Sequence, residues 1–237
     1  MLRDSPHVVW KYIAQIEESC RGASPNDGHR AIARLQEKYE VWVLTQNVDS
    51  FHQGAGSKNV IAIHGDVHGL VCTGCSYTAR VEDYSSLEYC RAGTQATAGV
   101  HPKCPEVLPL VAVRPGEERR FCCSALTPGQ PPPPVTAARL RQCNSLVRPT
   151  VVLFDEELPD AALTMLQQQL RKGFDAVFSV GTSSIFPYIA APVLQAKALG
   201  RLTVEVNPEE THISEMVDHR ARNAASFLSK LADRLVS

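Results

Sequence analysis

Val41-Trp42-Val43-Leu44-Thr45-Gln46-Asn47-Val48-Asp49 decides the fold of this chain: an apolar run reading as a buried strand passes into a threonine, two amides and a carboxylate, with His52 and His64-Gly65 following. An uninterrupted apolar run of this kind marks a parallel strand covered on both faces. In open α/β sheets ligands sit outside the carboxyl ends of such strands. Gln46, Asn47 and Asp49 therefore arrive together where a ligand is handled.

Working outward, the spacing predicts an amphipathic helix over Val8 to Ser19 with Val9, Tyr12, Ile13 and Ile16 on one face. Ser24-Pro25-Asn26-Asp27 breaks the chain and caps a second helix carrying Ala31, Ile32 and Leu35. After the strand at 41 to 45, the turn residues 54 to 57 lead to a second strand, Val60 to Ile63. From about residue 150 the rhythm resumes: strand Val151 to Phe154, helix Ala161 to Arg171, strand Ala176 to Val180, helix Tyr188 to Leu199, strand Leu202 to Val206, helix Ala224 to Leu235. Such alternation predicts an α/β fold with a mostly parallel sheet and helices on both faces.

Residues 66–148 interrupt this pattern. They hold seven of the eight cysteines and the Pro131 to Pro134 run, and read as an inserted module too poor in core residues to stand without a metal. The expected division is 1–65 with 149–237 as one domain and 66–148 as the insert, partly irregular or disordered, with order and partial disorder of 91–138 both left open. Cys72-Thr73-Gly74-Cys75 is a C-x-x-C knuckle that brings two thiolates within reach of one tetrahedral ion, Gly74 letting the turn close. Of a second pair only Cys143 stands shortly before residue 151, because Ala138 and Leu140 occupy the partner positions. The fourth thiolate falls to Cys122 or Cys123, nearest in sequence, with Cys123 preferred and Cys104 and Cys90 left open.

Composition limits the function. The 237 residues balance 24 Lys and Arg against 25 Asp and Glu, a net charge of -1 that gives no general attraction to nucleic acid or anionic membrane. No apolar run reaches the roughly 18 residues of a membrane span, and the first residues lack the apolar core of a signal peptide. An intracellular, cytoplasmic protein is expected, or a mitochondrial one in a eukaryote, with its cysteines serving a metal before disulfides.

Taken together, Thr45-Gln46-Asn47-Val48-Asp49, His64-Gly65 ahead of the first knuckle cysteine, Val151 to Phe154, Gly181-Thr182-Ser183-Ser184 and Val206-Asn207-Pro208-Glu209 occur in the order seen in sirtuins. The chain resembles a bacterial-type or mitochondrial-type member of that family of NAD-dependent protein deacylases over nearly its whole length. The resemblance implies a Rossmann-like domain bearing a small zinc-binding module, an acyl-lysine peptide or protein as substrate, and NAD and Zn2+ as cofactors. It implies that the acyl group passes to the ribose, giving nicotinamide, O-acyl-ADP-ribose and free lysine. His64 matches the general base, a task for which an imidazole titrating near neutrality is suited. Gln46, Asn47, Val48 and Asp49 match the nicotinamide and ribose contacts, and Asn47 also orients a ribose hydroxyl or water. Gly181, Thr182 and Ser183 match ribose and phosphate contacts, Asn207-Pro208-Glu209 the adenosine ribose, and Ala225 an adenine contact. Cys72, Cys75, Cys143 and Cys123 match the zinc ligands, and Val151 to Phe154 a strand that pairs with the peptide.

The chain also departs from the family's pattern. It opens after the first strand and the glycine-rich phosphate loop, from which weakened NAD binding and an exposed sheet edge are expected. Asp155 stands where glycine is usual, Ser50-Phe51 replace Gly-Leu, and Asp66 adds a carboxylate after His64-Gly65. Ile13 and Ile16 fall where desuccinylating relatives carry Tyr and Arg, so a neutral acyl group such as acetyl is expected. Two other readings remain: a catalytically silent sirtuin-like protein that binds zinc and peptides, and an ADP-ribosyl-transferring relative.

Overall fold

The computed structural model describes residues 6–84, 107–109, 140–142 and 145–236. In chain order its elements are α1 (Pro6–Cys20), α2 (Asp27–Leu35), β1 (Val43–Thr45), α3 (Phe51–Gly54), β2 (Val60–Ala62), β3 (Gly69–Cys72), β4 (Thr78–Arg80), β5 (Val107–Pro109), β6 (Leu140–Gln142), β7 (Val147–Pro149), α4 (Asp160–Lys172), β8 (Ala176–Val180), α5 (Pro187–Ala198), β9 (Leu202–Val206), β10 (His219–Ala221) and α6 (Ala224–Val236). They fall into two compact units, residues 22–65 with 152–237 and residues 1–21 with 66–151. Helix α1, which the order of elements had grouped with residues 22–65, clusters with the latter unit.

The larger unit is an α/β arrangement whose strand pairings are all parallel. Strand β1 pairs with β2, Leu44 opposite Ile61, and β9 lies between β8 and β10. Strand β1 starts two residues later than the apolar run suggests. The Val41 carbonyl accepts instead from the side chains of Gln36 (3.0 Å) and Asn59 (3.2 Å), which hold that residue outside the ladder. Helix α2 begins at Asn26, whose Oδ1 accepts the N–H groups of Gly28 (2.9 Å) and His29 (3.2 Å). Its apolar stripe, Ala31 and Leu35, packs on Leu228 and Ala232 of α6. On the β1–β2 ladder, Ile61 and Ile63 bury against Leu166 of α4 and Ile189 of α5. The acidic first turn and basic last turn of α4, Asp160 and Arg171-Lys172, both favour its dipole. The fully buried Glu205 carboxylate of β9 is satisfied by the hydroxyls of Thr211 and Ser214 (2.6 Å to the latter) and by Arg220 Nε at 2.7 Å.

In the smaller unit β3 is central, antiparallel to both β4 and β7, with Leu70 opposite Ala79 and Pro149. The backbones of β5 and β6 form a separate antiparallel pair. Gly69 is required where it stands, since a Cβ there would lie 2.9 Å from Thr150 Oγ1, which itself donates to the Asp66 carbonyl at 2.9 Å. Helix α1 corrects the sequence reading. Its buried face is Val9, Trp10, Ile13, Ala14 and Glu17, whereas Tyr12 is 60% and Ile16 41% exposed. Trp10 wins the interior because its indole N–H reaches the Val147 carbonyl (3.1 Å) and its ring meets Tyr84 edge-on at 5.5 Å. Glu17 is buried because Arg21 grips both its carboxylate oxygens.

Val151 to Phe154 is a second correction. These residues form no strand; the backbone makes one inter-element bond, Val152 N–H to the His64 carbonyl (2.9 Å), then turns. The turn closes as Glu156 N–H donates to the Leu153 carbonyl (3.1 Å) and the Glu156 carboxylate accepts Leu153 N–H (3.0 Å). Phe154 is left 95% exposed and Asp155 takes a left-handed φ of 67°. That conformation accounts for glycine being expected at 155. Asp155→Gly is therefore expected to raise stability by about 1 kcal/mol, read as a shift in urea midpoint at constant slope. A lower midpoint would show that Asp155 is held by its side chain rather than tolerated. Among the described residues, no helix is long and apolar enough to cross a membrane.

Candidate functional site

Four parallel strands of the larger unit end in polar residues, and the structure draws these ends together. Beyond β1, Thr45 Oγ1 accepts Asn47 N–H (3.1 Å) and Asp49 Oδ1 accepts Phe51 N–H (2.9 Å), folding Gln46 to Ser50 back over the strand end. Ser50 completes the reversal at φ 61°, again a left-handed position where the resemblance expects glycine. Asn47 is exposed, while Gln46, Val48 and Asp49 are half-buried. His64 follows β2, held in line by Ile63 N–H to the Thr45 carbonyl at 3.0 Å.

Beyond β8, Gly181 N–H still bonds the Val206 carbonyl (2.9 Å), and Gly181 at φ 62° swings Thr182 inward over the sheet end. Thr182 Oγ1 donates to Gln46 Oε1 (3.3 Å) and accepts Ser184 N–H (3.2 Å). Ser184 Oγ lies 3.2 Å from Ser179 Oγ inside the core, while Ser183 is exposed. Beyond β9, Asn207 Nδ2 donates to the Thr182 carbonyl (3.1 Å), and its Oδ1 accepts Glu209 N–H (3.1 Å). Pro208 and Glu209 are exposed; Arg220 Nη2 holds the Glu209 carbonyl at 3.0 Å. Ala225 packs at the start of α6 against Gly28 and makes no hydrogen bond to the others. Gln46, His64, Thr182 and Asn207 thus share one rim.

One residue that sequence reasoning missed sits at its centre. Tyr188, in the first turn of α5, places its hydroxyl 2.7 Å from His64 Nε2. Burial, the larger cause, raises the Tyr188 pKa against the opposing bond from Gln46, so the phenol stays protonated at neutral pH. Phe186 stacks on Tyr188 with ring centroids 5.5 Å apart and meets His64 edge-on at 6.4 Å. The signal available in sequence was the pair of aromatics directly after Gly181 to Ser184, at a strand-to-helix junction.

Behind the Asp49 turn two imidazoles lie edge to face, His29 and His52, with centroids 4.7 Å apart. His52 Nδ1 is buried with no hydrogen-bond partner among the described residues. Burial, then the neighbouring His29, push the His52 pKa down to about 4 against the attraction of Asp49. His29 is lowered too, by burial first and Arg30 in addition, again opposed by Asp49. A histidine whose folded pKa lies below its unfolded value favours folding above about pH 6.5, and that contribution is lost as pH falls toward about 4, because the unfolded chain takes up the proton first. The full shift is discounted for solvent screening to about 2 kcal/mol. The urea midpoint should therefore drop between pH 7 and pH 5, and His52→Phe should flatten this slope. A slope unchanged in that variant would remove His52 as its source.

In the smaller unit, the Cys72 to Cys75 turn carries N–H···S bonds from Gly74 to Cys72 (3.3 Å) and from Tyr77 to Cys75 (3.4 Å). Cys123 and Cys143, like Cys90, Cys104 and Cys122, lie outside the described residues, as does all of the 91–138 segment except the backbone of 107–109 in β5. Among those described, no group of three or more metal-binding side chains gathers. Asp66 is engaged by His68 N–H (2.9 Å) and by the Arg80 guanidinium.

With this geometry established, comparison with known proteins is direct. An NAD-dependent protein deacylase 2 from Pseudomonas aeruginosa is 41% identical over 221 residues, 92% of this chain and 68% of its own length. An NAD-dependent protein deacylase from Aquifex aeolicus is 30% identical over 234 residues, 98% of this chain and 77% of its own. Among solved structures, a Sir2 homologue–NAD complex superposes with a TM-score of 0.70 at 28% identity, covering 100% of this chain and 75% of that one. A mutant Sir2 homologue bound to 2′-O-acetyl ADP-ribose gives 0.70 at 26% identity, covering 99% and 76%. Residues 1–187 match the Sir2 family description. A parallel-stranded α/β unit with its polar strand ends gathered round His64, and a match over most of the chain, have one reading: the chain belongs to the Sir2 family.

Proposed function

We propose that this chain is an NAD-dependent protein lysine deacylase: it moves the acyl group of an acyl-lysine onto ADP-ribose, releasing nicotinamide and leaving free lysine. The observation that carries this is the single rim on which His64 stands with Gln46, Thr182 and Asn207, at the carboxyl ends of parallel strands. Family membership supports the same reading. NAD supplies the activated ribose carbon that accepts the acyl oxygen. The residues contribute binding and proton transfer. His64 takes the proton from a ribose hydroxyl, and Asn47, the exposed residue after Gln46, orients that hydroxyl or a water. Gln46, Val48 and Asp49 hold the nicotinamide end, where the Asp49 oxygen not used by Phe51 can accept an amide N–H. Gly181, Thr182 and Ser183 face ribose and phosphate; Asn207, Pro208, Glu209 and Ala225 serve the adenosine end.

Cys72 and Cys75 fit zinc. Each sulfur already accepts a backbone N–H from its own turn, which helps fix the two side chains for a shared ion. Cys143 and Cys123 would complete a tetrahedral set whose task is to brace the turn between β3 and β4. Metal analysis should return about one zinc per chain, lost in Cys72→Ser; a zinc-free folded protein would refute the site. The isoleucines Ile13 and Ile16 offer no partner to an acyl carboxylate, which favours a neutral acyl group such as acetyl.

The test is incubation of the folded protein with NAD and an acetyl-lysine peptide. Nicotinamide and deacetylated peptide should appear in equal amounts. ADP-ribose transfer to protein without deacetylation, or no nicotinamide at saturating NAD, would overturn the reading.

A further inference from the structure

The side chain of His64 is held through Nε2 by the Tyr188 hydroxyl, 2.7 Å away. Burial raises the Tyr188 pKa, so the phenol carries a proton that it can donate. A base that is to take a proton at Nε2 must keep that nitrogen unprotonated, and a nitrogen that accepts the phenolic proton is so kept, which leaves the ring proton of neutral His64 on Nδ1.

We propose that Tyr188 is the positioning residue of the base: its hydroxyl presets His64 in the tautomer whose Nε2 is the proton acceptor, and it yields that nitrogen to the ribose hydroxyl when NAD binds. This rests on His64 being the base. The substrate hydroxyl replaces one O–H donor by another at the same nitrogen, so the ring needs neither to flip nor to move its proton before accepting. When the ribose proton transfers, Nε2 gains it, Nδ1 keeps its own, and the ring becomes the imidazolium. Phe186, stacked on Tyr188 and edge-on to His64, restrains both rings in this arrangement.

Two readouts on Tyr188→Phe test it; the variant keeps the ring that packs beside Ile189 and removes only the hydroxyl. In NAD-free protein with labelled histidine, the His64 15N shifts should report an unprotonated Nε2 and a protonated Nδ1, and the variant should show a mixture of tautomers. Steady-state kinetics should show kcat/KM for NAD falling about tenfold with the peptide KM unchanged. An unchanged ring signature, or an unchanged kcat/KM, overturns the proposal. The NAD-free spectrum separates this failure from failure of the base assignment, which His64→Gln tests: wild-type nicotinamide release by that variant would remove His64, and any role for Tyr188 with it.

Discussion

His64→Ala is expected to lower peptide-dependent nicotinamide release about a thousandfold while leaving the protein folded. General-base catalysis is worth about 10²–10⁴ in rate, and among the described residues no other histidine shares the rim formed by Gln46, Thr182 and Asn207. His64 is only half-buried, and its backbone carbonyl, which accepts Val152 N–H, is untouched by the change, as is the bond of neighbouring Ile63 to Thr45. The side chain contributes one hydrogen bond, to Tyr188, whose hydroxyl can turn to solvent. Urea unfolding should therefore shift by less than about 1 kcal/mol. NAD binding measured by calorimetry should persist, because the contacts proposed for the cofactor lie on other residues. An alanine variant that still releases nicotinamide at the wild-type rate would place the base elsewhere.

Trp10→Ala should cost the smaller unit about 3–5 kcal/mol, the largest stability effect expected in the chain. The indole is completely buried, and its removal leaves a cavity beside Tyr84 and takes the only indole donor from the Val147 carbonyl in β7. Tyr12→Ala, two residues on and largely exposed, should change stability by less than about 0.5 kcal/mol. Urea unfolding followed by a probe in the smaller unit, such as solvent exposure of Cys72, would compare the two. Equal effects would mean that the helix is held by its Tyr12 face after all.

The sequence was most legible where chemistry and periodicity coincide. Strands β8 and β9 were read to the residue because an apolar run ends in a glycine or an asparagine at the point where pairing stops. Helix α2 was legible from its asparagine cap. The buried face of α1 was not, because Trp10 and Tyr12, both large aromatics, compete for the interior and only the carbonyl of Val147, distant in sequence, decides between them. Glu17 was illegible for a like reason: a carboxylate reads as solvent-facing until Arg21 is seen to enclose it. Val151 to Phe154 looked like a strand by composition, yet a strand needs a partner, and the residue that turns the chain, Asp155, hides a left-handed backbone behind an ordinary side chain. At the site, residues at strand ends were found by position alone. Tyr188 was missed because within Ile185-Phe186-Pro187-Tyr188-Ile189 a tyrosine reads as packing, and its hydroxyl matters only through His64, brought to it from the end of β2.

The pairing of β8 bears on how this protein behaves at high concentration. Its odd-numbered residues face β9, so the backbone groups of Ala176, Phe178 and Val180 alternate toward the opposite side. Ala176-Val177-Phe178-Ser179-Val180 is uncharged, free of proline and rich in strand-forming residues, the composition of segments that nucleate aggregation. Asp175, paired with Arg201 at 3.2 Å, guards one end of the segment with charge. The other guard is α6, whose Phe227 lies 6.4 Å from Phe178, with Leu228 and Ala232 closing the core that Val180 joins. A fusion or truncation that loosens α6 would thus reveal itself first as insoluble protein rather than as lost secondary structure.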